Sequence, residues 1–139
     1  MKGLETKQLN VFKDERGYMI SLRANEEIFN GKFGQCLLSV IYPGIIKGLH
    51  LHKKQTDFCV CVKGHAKYVA TDGKEFESFI IGESNPLLVK VSPGIWHGYM
   101  ALDNETIIMH TMDTYYDSKD TEKIDPFSFG DLWGNNTLN

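Results

Sequence analysis

His50-Leu51-His52, Asp57, His97 and His110 are the residues of this sequence whose types and spacing can do chemistry. The first three positions read as part of a strand, where alternation sends both imidazoles to one face and Leu49 and Leu51 to the other. Asp57 and then Gly64 follow downstream. Pro93-Gly94-Ile95-Trp96-His97 sets another histidine just behind a Pro-Gly turn, and His110 ends the apolar run Ile107-Ile108-Met109. His65, beside Gly64, reads as an exposed turn residue. Three imidazoles and one carboxylate, His50, His52, His97 and Asp57, suit a divalent transition metal such as zinc. A neutral imidazole near pH 7 is equally a good general base. The spacing alone does not choose between these two chemistries.

Residues so distant in sequence share a site only if strands carry them there. Short β-rich runs bounded by turn signals recur along the chain. Residues 35–42 end at Pro43-Gly44, 58–62 at Lys63-Gly64, 66–70 at Asp72-Gly73, and 75–81 at Gly82. Residues 87–91 end at Ser92-Pro93-Gly94, 96–102 end at Asp103-Asn104, and 105–112 follow. Asp72-Gly73 reads as a tight hairpin turn, since both residues tolerate positive φ. No stretch between residues 31 and 113 has the 3.6-residue period of an amphipathic helix. Many short strands at regular spacing predict an all-β sandwich or barrel, and a small barrel holds one small ligand. One domain over 1–139 is expected, with the barrel core at about 31–113 and a tail over 114–139. The tail carries Tyr115, Tyr116, Phe127, Phe129 and Trp133, and is expected to pack on the barrel or on a neighbouring chain.

The bulk composition removes several functions. The 139 residues suffice to bury a real core, with 42% hydrophobic and 24% charged residues. Net charge is −3 and no cluster of lysine and arginine stands out, so no nucleic-acid partner is expected. No apolar run approaches the ~20 residues of a membrane span. Met1-Lys2-Gly3-Leu4-Glu5 lacks the apolar core of a signal peptide, so a cytoplasmic protein without membrane contact is expected. Cys36, Cys59 and Cys61 sit in apolar runs and read as buried free thiols.

The histidine segments resemble a known family. His50, His52, Asp57 and Gly64 resemble the first cupin motif, and Pro93-Gly94-Ile95-Trp96-His97 the second. The resemblance implies a double-stranded β-helix, or jelly-roll, barrel. Within the cupins, 11–18 (Val11 to Tyr18), Lys47-Gly48-Leu49-His50, Ser92 to Tyr99, and Tyr115-Tyr116 with Asp125-Pro126 resemble the dTDP-4-dehydrorhamnose 3,5-epimerase family, in order. His50 to Lys54 is similar to the 3,4-ketoisomerases of 4-keto-6-deoxy nucleotide sugars. The stretch from Ser39 to His52 also resembles the zinc cupin domain of capsule-sugar epimerase/reductases. The chain departs from the rhamnose-type pattern, which has arginine at Lys47, glutamine at His52, lysine at Asp57 and a tyrosine acid at His110. The family's base takes an aspartate partner from a C-terminal segment that this shorter chain is expected to lack.

The resemblance implies an epimerase or isomerase acting on a 4-keto-6-deoxy nucleotide sugar, for a surface polysaccharide or deoxysugar. His50 is the implied base, His110 the opposite-face acid, and Lys47 a stabiliser of the enolate oxygen or a phosphate. Arg16 is implied at the nucleotide phosphates, where a guanidinium is well suited. His52, Asp57, His97 and Tyr115 would complete the substrate site. In the alternative scheme His50, His52, Asp57 and His97 hold a metal, and His50 is then unable to act as base. No cofactor is required in the first scheme; zinc is the expected metal in the second. A homodimer is implied. A non-catalytic metal- or sugar-binding cupin is the alternative function, because cupins host many chemistries.

Overall fold

Glycine, proline and asparagine cut this chain into strands too short to bury themselves singly, so they associate as sheets. The computed structural model describes residues 1–15, 17–20, 22 and 27–134. Its strands are β1 (Leu4–Gln8), β2 (Val11–Asp14), β3 (Gly17–Ile20), β4 (Gln35–Ile41), β5 (Ile46–His52) and β6 (Asp57–Lys63). Then come β7 (His65–Thr71), β8 (Phe76–Gly82), β9 (Leu87–Val91), β10 (Trp96–Ala101), β11 (Thr106–Met112) and β12 (Thr121–Lys123). One antiparallel sheet has the order β1-β9-β6-β11-β4, the other β12-β5-β10-β7-β8, and β2 pairs with β3 as a separate hairpin. This is the cupin jelly roll that the sequence implies.

Two outcomes differ from expectation at the edges. β1 pairs with β9 and β12 with β5, so both sheets recruit strands from outside residues 31–113. The β7–β8 turn is wider than a two-residue hairpin, because Thr71 pairs with Phe76. Only Gly73 takes a positive φ there (93°). Asp72 works through its side chain, accepting from the Lys74 and Glu75 N–H groups at 2.8 and 2.7 Å.

Alternation sorts each strand into an inner and an outer face. Cys59, Cys61, Tyr68, Ala70, Val89, Val91, Tyr99 and Ile108 meet between the sheets as the main core. Phe58, Val60 and Leu88 face outward and are covered by Leu9 and Phe29. Leu49 and Val69 face outward from the other sheet and are covered by Trp133. Of the expected tail aromatics, Trp133 is the buried one, and its Nε1 donates to the Pro126 carbonyl at 2.9 Å. Tyr115, Tyr116, Phe127 and Phe129 remain exposed. Cys59 and Cys61 are buried free thiols, but Cys36 is exposed, because β4 lies at a sheet edge with no strand beyond it among the described residues.

His65 also departs from expectation. It is half-buried and hydrogen-bonded through both ring nitrogens. Gly64 beside it has φ 71°, and a Cβ there would collide with the Glu105 carbonyl, which explains the motif glycine. No described helix is long and apolar enough to cross a membrane.

Candidate active site

The inner faces are apolar at one end of the barrel and polar at the other. β5 supplies Lys47, His50 and His52, and β6 begins at Asp57. β10 supplies His97 and Tyr99, while His110 comes from β11 in the opposite sheet. Antiparallel pairing sets His97 opposite His50, and a shift of register then sets Tyr99 opposite Lys47. Gly98 permits that shift, since a Cβ there would strike the Lys47 carbonyl. A cavity of about 490 Å³ opens at this end. Lys47, His50, His52, Asp57 and His110 line it directly, and His97 packs behind them against His50, with ring centroids 4.3 Å apart.

Asp57 is the hub. Its Oδ2 lies 2.9 Å from His52 Nε2 and 3.0 Å from His97 Nε2. Gln55 Nε2 donates to its other oxygen. Burial pushes the carboxyl up, but these imidazole contacts outweigh it and hold Asp57 well below the usual carboxylate range. Asp57 reaches both rings because it stands at the start of β6.

The outer nitrogens fix the tautomers. His97 Nδ1–H donates to the Ile95 carbonyl at 2.9 Å. Thr121 Oγ1 donates to the Asp117 carbonyl at 3.3 Å, so it accepts from His52 Nδ1–H at 3.0 Å. Both Nε2 atoms are therefore left facing one carboxylate oxygen. Two arrangements satisfy that convergence: protons on the Nε2 atoms, or a shared cation taking their lone pairs.

His50 is different. Burial, and next the neighbouring His97, hold it well below the ordinary imidazole value, so it is neutral at pH 7. Across the cavity, burial pushes His110 down to about 4, with His97 and Lys47 acting the same way and Asp57 opposing. Its Nε2 lies 3.1 Å from the Tyr99 hydroxyl, whose own ionisation burial pushes up to about 12. His110 therefore carries no imidazolium proton at neutral pH.

The sequence-based site is thus largely brought together: His50, His52, Asp57, His97, His110 and Lys47 converge. Tyr115 does not join them. It is 79% exposed, and Tyr116 lines the cavity instead, tethered by its N–H to Gln35 Oε1 at 2.8 Å. Arg16 lies outside the described residues. Gln55, Tyr99, Thr121 and Lys123 also line the cavity and were missed. Tyr99 is two residues after His97 on the same strand face, a signal that was available. Thr121 and Lys123 had none, because only the β5–β12 pairing brings them to His52 and His50.

The donor set also fits a metal. One ligand atom from each of His50, His52, Asp57 and His97 lies within 4.8 Å of the others. The second ring nitrogens of His52 and His97 are already anchored, as metal-binding imidazoles require.

Comparison with known proteins bears on the family and the fold. The spore coat polysaccharide biosynthesis protein SpsL of Bacillus subtilis (strain 168) is 34% identical over 134 residues, spanning 90% of this chain and 89% of that protein. The probable low-salt glycan biosynthesis epimerase Agl13 of Haloferax volcanii is 28% identical, over 87% of this chain and 85% of that one. The dTDP-4-dehydrorhamnose 3,5-epimerase structure from Elizabethkingia anophelis NUHP1 superposes with a TM-score of 0.76 at 26% identity, over 91% of this chain and 77% of that one. Residues 2–128 match the FdtA family, described as WxcM-like, C-terminal, and the chain belongs to it.

Proposed function

We propose that this protein is an epimerase or isomerase that takes a proton next to the ketone of a 4-keto-6-deoxy nucleotide sugar, in the making of a surface polysaccharide or deoxysugar. The observation that carries this reading is His50, an imidazole held neutral on the wall of the cavity. A neutral base facing a ligand-sized cavity is what abstraction of an acidified C–H requires. The relatives named above for polysaccharide and glycan biosynthesis support the substrate class.

The ketone acidifies the adjacent C–H bonds, because the carbanion spreads onto oxygen as an enolate. His50 takes the proton. The ammonium of Lys47, which lines the same cavity, stabilises the enolate oxygen. His110 is not an imidazolium acid here. With the Tyr99 hydroxyl donating to Nε2, its proton sits on Nδ1, and it can deliver that proton while drawing Tyr99's. Lys47 and Lys123, both exposed at the cavity mouth, suit an anionic diphosphate. Solvent deuterium uptake tests the reading, with a panel of 4-keto-6-deoxy nucleotide sugars followed by NMR. Label at C3 alone, or at C3 and C5, supports it and separates the reactions. No label and no conversion across the panel leaves a binding module.

A second reading rests on the converging donor atoms: His50, His52, Asp57 and His97 hold a divalent metal, zinc first. Such an ion would supply Lewis-acid charge to an enolate oxygen. Elemental analysis of chelator-free protein checks this, with near-stoichiometric metal expected under this reading and traces only under the first. We further read the protein as a cytoplasmic homodimer. Two buried, unbridged cysteines suit a reducing compartment, and the apolar edge strand β4 suits a second copy.

A further inference from the structure

A second cluster of reactive side chains lies away from the histidine cavity. Asp103 Oδ2 accepts from His65 Nδ1–H at 2.7 Å. His65 Nε2 accepts from the Ser84 hydroxyl at 2.7 Å and from the Ser84 backbone N–H at 3.1 Å. The backbone contact settles the tautomer, because an N–H donor demands a lone pair on Nε2 and so places the ring proton on Nδ1, toward the carboxylate. Nucleophile, base and orienting acid are thus connected in the order that activates a serine. Three separate turns bring them together: β6–β7, β8–β9 and β10–β11. Ser84 is exposed, and with Val60, Val62, Pro86, Met109 and Lys13 it lines a separate, mostly apolar cavity of about 660 Å³.

We propose that Ser84, His65 and Asp103 form a second, hydrolytic site for esters of small apolar acyl groups. The Ser84 oxygen attacks the ester carbonyl and its proton passes to His65 Nε2. The protonated Nε2 no longer accepts from the Ser84 N–H, which is released to donate to the oxyanion as that charge appears. The ester C–O bond then breaks, and the leaving alcohol takes the proton from His65. Water hydrolyses the acyl-serine by the same route, giving its proton to His65 and releasing the carboxylic acid. Asp103 holds the ring and offsets the imidazolium. The adjoining apolar cavity receives the acyl chain.

The test uses the whole protein with p-nitrophenyl butyrate and, separately, an alkyl fluorophosphonate. One phosphonyl group on Ser84 is expected by peptide mass mapping, with ester hydrolysis at least tenfold above that of Ser84→Ala. His65→Gln should lose both signals, its fold confirmed by circular dichroism. Ser84→Cys, alkylated by iodoacetamide faster than the exposed Cys36, gives an independent readout of an activated nucleophile. No label on Ser84, or hydrolysis by Ser84→Ala at the unaltered rate, overturns the proposal. Deuterium exchange at the histidine cavity should be unchanged in Ser84→Ala, so this result is read separately from the proposed function.

Discussion

His50→Asn keeps the size and polarity of the side chain but removes the basic nitrogen. Loss of a positioned general base costs ~10²–10⁴-fold in rate. Exchange of the sugar's α-proton should fall by that factor, with nucleotide binding by calorimetry retained, because the anion is held by other residues such as Lys47 and Lys123. Exchange near the unaltered rate would remove His50 as the base. His110 adds a pH prediction. It ionises at about 4 when folded, against 6.5 for the free side chain. Between those values the unfolded chain holds a proton that the folded chain does not, so stability present above 6.5 is lost as pH falls toward 4. His110→Phe removes this proton difference together with one of the Tyr99 hydroxyl's partners, leaving it Ser39, at a cost of ~0.5–1.5 kcal/mol. The variant should melt lower at neutral pH, yet its melting temperature should fall less on acidification than that of the unaltered protein. Parallel melting curves against pH would show that His110 is not the group responsible. If His110 also relays a proton, the same variant should still wash deuterium into the substrate while forming little product.

At the scale of elements, β12 is short but holds the site in register. Thr121 pairs with His52 and its hydroxyl accepts the ring proton, while Asp120 beside it accepts from the Gln55 N–H at 3.0 Å. Thr121→Val preserves shape and removes the acceptor. A buried donor left unpaired costs ~1–3 kcal/mol, and the His52 ring is free to turn from Asp57. A lower melting temperature and slower α-proton exchange are expected, and Thr121→Ser should restore both. Restored stability without restored exchange would show that β12 only holds the fold. The same strand marks the limit of what the sequence discloses. Turn residues announced the central strands closely, residues 87–91 being β9 itself, because Pro-Gly and Asp-Gly pairs act locally. His50, His52 and His97 were legible because period-two alternation fixes their face. β1 and β12 lie among polar residues, and their places depend on partners far along the chain. Tyr115 and Tyr116 lie outside any strand, so adjacency gave no way to choose the residue that faces the cavity.

For the whole molecule, β4 presents a run of exposed apolar side chains. It is the edge strand of its sheet, with Leu38 and Val40 at 67% and 57% exposure and Tyr42 just beyond it at 75%. Its outward face has no charged residue to discourage pairing, and such an edge aggregates unless covered. A second copy pairing about a twofold axis covers both edges at once with the same residues. Leu37 and Ser39, on the inner face of the same strand, line the cavity, so the partner would sit at the mouth of the site. Leu38→Glu with Val40→Glu places two carboxylates on the outer face alone and leaves that inner face in place. Like charges meeting across the axis oppose association. Light scattering of the unaltered protein should give twice the chain mass of 15.8 kDa, and the double variant the single mass. If the partner completes the cavity mouth, the folded monomer should bind nucleotide sugar more weakly while its rate at saturation changes little. A monomeric unaltered protein at tens of micromolar would refute the assembly, and a monomeric variant with undiminished affinity would confine the partner to covering the edge.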